Sequence, residues 1–360
     1  MGKGFADVVN DHVGHGKSIN SDDDLGYFGE SGGWDSFVED ERTLTEIVKK
    51  DFPDVPVVFF GHSMGSFIAR EYILRYGTDE RIKAAIFCGT SGKNPASGIA
   101  IHLAGAIAKI KGSKHRSEFI NKMAFGPYNK KCEGRTPFDW LSTDTNQVDK
   151  YVADKYCGFL FTAAGYKDLF TVLTKVSGKD WYTGMPDLPV LLTAGTDDPV
   201  GNYGEGVKQV HNDLVQAGKK DVTVKLYAGM RHEILNEKEN LMVYEDIAAW
   251  ALSKIKLEKH PEGCFLSAKC KVQSAKCKVS DGFHPYPIFY NRSKATLNYE
   301  LRITNCELKK HPSGCFFYVA EFACSVVVFV SPPSPAGVSC VVLSVACCVV
   351  VAVASVVVSA

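Results

Sequence analysis

Residues 61 to 65 read Gly-His-Ser-Met-Gly, and the stretches on either side leave few folds open to the chain. The apolar run Val55-Pro56-Val57-Val58-Phe59-Phe60 precedes the pentapeptide and has the length and β-branched content of a buried strand. A helix-like stretch, Ser66 to Tyr76, follows it. A strand that ends in G-x-S-x-G and turns at once into a helix presents its serine on a sharp turn. Glycines flank the serine because the turn leaves little room for side chains, and the first N–H groups of the helix face any negative charge that develops beside it. Ser63 is therefore expected to be a nucleophile at the end of an α/β sheet.

A serine hydroxyl attacks poorly until a histidine takes its proton and an acid orients that histidine. Both partners are expected downstream, acid first. The strand-like run Leu188-Pro189-Val190-Leu191-Leu192-Thr193-Ala194-Gly195 leads into Thr196-Asp197-Asp198-Pro199-Val200-Gly201, an acidic turn held by Pro and Gly. Next, Val222 to Tyr227 alternates as a strand does and runs into the loop Ala228-Gly229-Met230-Arg231-His232-Glu233. Asp197 and Asp198 also suit an ordinary turn, and His232 an ordinary surface loop. Two strand-plus-loop units in the required order behind an elbow serine favour the chemical reading. His62 is expected to pack the elbow, while His12 and His15, in a Gly-rich loop, come too early for that order.

Four segments together resemble the α/β-hydrolase superfamily, in its monoacylglycerol lipase and lysophospholipase-like (serine aminopeptidase-like) branch. They are Asn10-Asp11-His12-Val13-Gly14-His15-Gly16-Lys17-Ser18, similar to the family's D-x-x-G-H-G-x-S loop, the elbow, Gly195 to Gly201, and Arg231-His232-Glu233. The resemblance spans roughly residues 4 to 256. It implies an α/β-hydrolase fold: a mostly parallel sheet flanked by helices, with an inserted helical cap. It implies Ser63, Asp198 and His232 as the triad. Asp198 is preferred to Asp197 because the family's acid precedes Pro or another apolar residue and then Val. The backbone N–H of Met64 would be one oxyanion donor. No metal or cofactor is implied.

The resemblance also implies a shortfall. Phe5-Ala6-Asp7-Val8-Val9-Asn10 resembles the family's fourth strand, so the first three strands and the loop that carries the second oxyanion donor are expected to be missing. The third strand lies between the fourth and fifth in the family, which predicts a gap in the sheet with unpaired backbone edges. Losing one oxyanion donor costs about two to three powers of ten in turnover.

Between the elbow and the acid, a strand at Ala84 to Cys88 is followed by roughly residues 93 to 185, too long for a plain loop and expected to form the cap. Helix-like stretches at Ile99 to Ile110 and Asp168 to Val176, with aromatics such as Phe125, Trp140, Phe159 and Phe161, would roof an apolar acyl pocket. Phe138-Asp139-Trp140-Leu141-Ser142 and Cys157-Gly158-Phe159 resemble cap segments of the lipase-like branch. The expected substrate is thus a small-molecule lipid ester of the monoacylglycerol or lysophospholipid type, cleaved through an acyl-enzyme. Two alternatives stay open: a catalytically impaired chain, and an aminopeptidase-like serine hydrolase, which needs an acidic recess for a substrate ammonium.

Composition sets the outer limits. A chain of 360 residues with 45% hydrophobic residues and a formal net charge of zero describes a globular protein with no reason to seek nucleic acid. Residues 1 to 30 are polar and acidic, without the apolar core of a signal peptide, and Ala6 stands where a myristoylation signal has Ser or Thr, so a cytoplasmic hydrolase domain over 1–256 is expected. Its final helix is read over Tyr244 to Ile255. Of twelve cysteines only Cys88, Cys132 and Cys157 lie before residue 257. Residues 257–336 form an irregular Cys- and Lys-containing tail with near repeats: Leu257 to Phe265 recurs as Leu308 to Phe316, and Ser267 to Val272 as Ser274 to Val279. It lacks the paired C-x-x-C spacing of a metal site. Residues 337–360 are an uncharged, Val-rich segment. That is long enough to span a bilayer, which needs about 20 residues, and would give the enzyme membrane contact. Valine in such density equally suits a β-prone segment.

Overall fold

A computed structural model describes residues 5–8, 10–255, 309–310, 316–317 and 349–354. The repeats after Leu257, apart from Lys309–Lys310 and Phe316, lie outside the described residues, as does most of the Val-rich segment. The main sheet has six strands: β1 (Phe5–Val8), β2 (Val57–His62), β3 (Ile82–Cys88), β4 (Val190–Gly195), β5 (Val222–Tyr227) and β8 (Val349–Ala354). Lys309–Lys310 (β6) and Phe316–Phe317 (β7) make a separate antiparallel pair. Strands run in the order β1-β8-β2-β3-β4-β5. β2 to β5 form a parallel four-stranded core, linked by helices as parallel pairing requires.

β2, β3 and β4 form where they do because their residues bury two faces at once, whereas β5, at the edge of the sheet, is mostly half-buried with Lys225 exposed. In β2, Phe59 stacks on Tyr72 of α2 (Met64–Tyr76), in a core cluster that also takes in Phe37 of α1 (Gly33–Asp51), Phe67 and Ile68 of α2 and Leu214 of α8 (Glu205–Gln216). Its neighbours Val58 and Phe60 face the other way, toward Val243, Ile247 and Ala251 of α9 (Asn240–Lys254). Successive side chains of a strand point to opposite faces, so a strand covered on both sides reads as an unbroken apolar run. Fully burying a side chain such as Phe59 stabilises by roughly 1.5–3 kcal/mol.

Between β3 and β4 the chain forms α3 (Ser97–Lys111), α4 (Glu118–Phe125), α5 (Thr145–Ala153), α6 (Ala163–Val176) and α7 (Lys179–Gly184). Ala100, Ala104, Ile120, Tyr166 and Phe170 give α3, α4 and α6 a small core of their own. α6 starts five residues before the expected Asp168 because the Thr162 side chain accepts a hydrogen bond from Gly165 N at 3.1 Å, an N-cap. α2 likewise starts at Met64 rather than Ser66, directly behind the serine.

The expected gap beside β2 is filled. β8 lies between β1 and β2 and runs antiparallel to both, with Val351 opposite both Val8 and Phe59, and Val349 opposite Gly61. Six residues of the Val-rich segment therefore form a strand in this sheet. Among the described residues, no helix is long and apolar enough to cross a membrane.

Candidate active site

Ser63 sits between the end of β2 and the start of α2 with φ 54 and ψ −125, a backbone conformation that L-residues rarely adopt. The turn is locked locally. Ser63 N–H donates to Cys88 O at 3.0 Å, and Ser63 O accepts from Ser66 N at 2.9 Å and Ser66 Oγ at 2.6 Å. A Cβ on Gly61 would strike the backbone of Gly65, which explains the first glycine of the motif. Met64 opens α2, so its N–H has no acceptor inside the helix and is free to face a ligand.

The strand ends of β4 and β5 bring the acid and the histidine together. His232 Nδ1 lies 3.0 Å from Asp198 Oδ1, with the two side chains 2% and 0% exposed. Val200 N–H also donates to Asp198 Oδ1, at 2.9 Å, which fixes the carboxylate. Asp197 instead is exposed beside Thr196. An acceptor carboxylate on Nδ1 sets the tautomer of a neutral imidazole: the proton sits on Nδ1 and the lone pair on Nε2. His62, packed on the same elbow, has its ring centroid 4.5 Å from that of His232. Its pKa lies well below the usual histidine value, because burial and the neighbouring His232 both disfavour a charge there.

Several residues hold this arrangement from outside the motifs. The His232 loop is docked on the turn Asp139–Leu141: Glu233 N donates to Leu141 O at 2.7 Å, and the Trp140 ring lies 5.2 Å from His232. Arg231 donates to Asp139 O at 2.7 Å and pairs with Glu133 at 2.8 Å, while Glu237 accepts from Arg231 N at 2.7 Å and from the backbone and hydroxyl of Thr143. Arg70 of α2 is buried. It donates to Ser91 O at 2.9 Å and to Val176 O, and covers the Trp181 ring at 4.1 Å; burial brings its pKa down to about 9. Nothing local in the sequence marks Arg70, or the reach of Glu237 to Thr143, since those partners lie far away along the chain.

A cavity of about 870 Å³ opens at Ser63 and Met64. Phe159, Phe161, Phe170 and Leu173 make much of its wall apolar, with Lys93 and Glu205 among the charged residues of its lining. His15 also lines it, enclosed by Phe28, Phe37, Phe159 and Phe161. Burial lowers its pKa to about 4. His12 stands 3.7 Å from Glu41, both buried. Among the described residues, no cluster of His, Cys, Asp or Glu has the makings of a metal site.

A family model described as Serine aminopeptidase, S33 matches residues 1–239. The chain is 29% identical over 247 residues to a monoacylglycerol lipase of Mycolicibacterium smegmatis, covering 68% of this chain and 77% of that protein. It is 26% identical to the human monoglyceride lipase, covering 69% and 74%. The crystal structure of a thermostable carboxyl esterase from Bacillus coagulans, in complex with glycerol, superposes with a TM-score of 0.64 at 33% identity, covering 68% of this chain and 80% of that one. A lipase solved in an open form gives a TM-score of 0.59 at 28% identity, covering 68% and 78%. The chain belongs to the Serine aminopeptidase, S33 family and is an α/β-hydrolase related to lipases and esterases.

Proposed function

We propose that the chain is a carboxylic ester hydrolase acting on monoacylglycerol or lysophospholipid-type lipids. The observation that carries this reading is the buried His232–Asp198 contact of 3.0 Å at the ends of two adjacent strands, with Ser63 on the neighbouring elbow facing an apolar cavity. Lipases and esterases among the relatives support the ester class. The cavity supports a lipid: its volume of about 870 Å³ falls within the range of drug-sized ligand sites and its wall is rich in Phe.

In this reading His232 Nε2 takes the proton from Ser63 Oγ as the oxygen attacks the ester carbonyl. Asp198 steadies the imidazolium that forms, and the N–H of Met64 receives the oxyanion. The tetrahedral intermediate collapses, His232 returns the proton to the leaving alcohol, and the acyl group stays on Ser63. Water then attacks the acyl-enzyme with the same base and releases the fatty acid. A fluorophosphonate probe tests the assignment, with mass spectrometry to locate the adduct. Labelling at Ser63 together with faster turnover of long-chain glycerol monoesters than of aminoacyl amides supports the reading; no adduct, or preference for the amides, overturns it.

A further inference from the structure

We propose that His62 is a positioning residue for the proposed base: its Nε2–H donates to the carbonyl oxygen of His232 at 3.0 Å and so ties the base loop to the nucleophile elbow. This rests on the assignment of Ser63, His232 and Asp198 above. A carbonyl only accepts, so the proton of the His62 ring must sit on Nε2 and its Nδ1 carries the lone pair. That Nδ1 is buried and, among the described residues, has no hydrogen-bond partner, so within them the ring donates to His232 and accepts nothing. A ring kept neutral in such a place can donate without setting a second positive charge beside the imidazolium that forms on His232.

Three separate parts of the chain contact His232. Asp198 fixes the ring through Nδ1 at 3.0 Å, Trp140 O accepts from the backbone N–H at 3.4 Å, and His62 fixes the backbone carbonyl at 3.0 Å. The last anchor comes from the residue next to Ser63, so it couples the backbone of the base loop to the nucleophile elbow. Gly89, at the end of β3, makes room for the contact. A Cβ there would stand 2.9 Å from His232 Cε1 and 3.0 Å from His62 Nε2. The two rings can approach to 4.5 Å because that corner of the site has no side chain. An error of about 1 Å between reacting groups costs on the order of 100-fold in rate, so an anchor of this kind acts on kcat.

The test compares His62→Gln with His62→Asn. The amide N–H of Gln reaches the place of the imidazole Nε2, whereas that of Asn stops short, and both are polar and of modest size, so folding does not decide the outcome. H62Q is expected to stay within about threefold of the wild type, and H62N to lose about 10- to 100-fold in kcat and in the rate of fluorophosphonate labelling at Ser63, with KM changed by less than about threefold. Equal activity of H62N and the wild type overturns the proposal, as does an H62Q variant as slow as H62N. A wild type that neither labels nor turns over esters overturns the assignment of the triad instead. The hydrogen bond itself is checked without turnover by a histidine-selective NMR spectrum, in which an Nε2–H of His62 that exchanges freely with water overturns it.

Discussion

The two sides of β2 are built differently. Toward β3, β4 and β5 the sheet is parallel, and each strand end delivers something to Ser63: Gly89 after β3, Asp198 after β4, His232 after β5. Toward β8 and β1 the pairing turns antiparallel. The loop and helix that follow β1 hold Asn10, His12, His15 and Glu41, whose buried polar atoms account for much of what lacks a hydrogen-bond partner among the described residues. Parallel strands put all their carboxyl ends on one rim, so loops of independent origin converge on one point. An antiparallel strand reverses that rim and contributes its amino-terminal end instead. Only β8 is reversed in this way: β1 runs in the same direction as β2, so the loop after it opens on the same rim, where His15 lines the cavity at Ser63.

The largest effects are expected on the parallel rim. Ser63→Ala is expected to lower kcat on p-nitrophenyl esters by about 10⁶-fold and to abolish fluorophosphonate labelling. Asp198→Asn should cost about 10⁴-fold, because an amide on His232 Nδ1 favours the wrong tautomer, whereas Asp197→Asn should leave the rate within about threefold. If the two aspartates exchange these effects, the acid has been assigned to the wrong residue.

The antiparallel side is tested by stability. Val351→Pro removes a backbone donor from a strand with neighbours on both sides, and is expected to cost about 3 kcal/mol, read as a drop in the urea midpoint. An unchanged midpoint would mean that β8 adds nothing to the sheet. Smaller again is Gly89→Ala, at about 1–2 kcal/mol for an L-residue at φ 56, with a loss of activity larger than the loss of stability because the new methyl presses on both histidines.

His15 gives the gentlest test. Its folded pKa, about 4, lies below the ordinary 6.5, so between these values the unfolded chain binds the proton first. Stability must then fall as pH drops from 6.5 toward 4, and it is fully present above 6.5. Glu41, whose pKa burial raises well above its ordinary 4.5, acts in the opposite sense: it opposes folding as pH rises above 4.5. A His15→Phe variant is expected to flatten the acid limb of the stability curve by up to about 3 kcal/mol, seen as a smaller loss of Tm between pH 6.5 and 4. An acid limb as steep as that of the wild type would show that His15 is not held neutral by the fold.

What was legible in the sequence was local. Val57 to Phe60 and Val190 to Gly195 announce buried strands because every residue is apolar or small, and the turns at 61–65, 195–201 and 228–233 announce themselves by glycine, proline and charge. Element ends were less legible where a side chain decides them: the Thr162 cap lengthens α6, and the serine turn starts α2 at Met64. Least legible were contacts between distant segments. Glu237 reaching Thr143, Arg70 reaching Val176, and Val349–Ala354 entering beside β2 leave no periodic trace, since each depends on where another part of the chain has already gone. The contact of His62 with His232 O belongs to this class too, although His62 stands inside the most recognisable motif of the chain.

A residue held, as Ser63 is, at φ 54 and ψ −125 is strained by about 1–3 kcal/mol unless it is glycine. Ser63→Gly should therefore melt at a higher temperature than the natural chain while turning over nothing. Selection for heat resistance alone would discard a serine on this turn, so its strain accords with the proposal that Ser63 is a nucleophile.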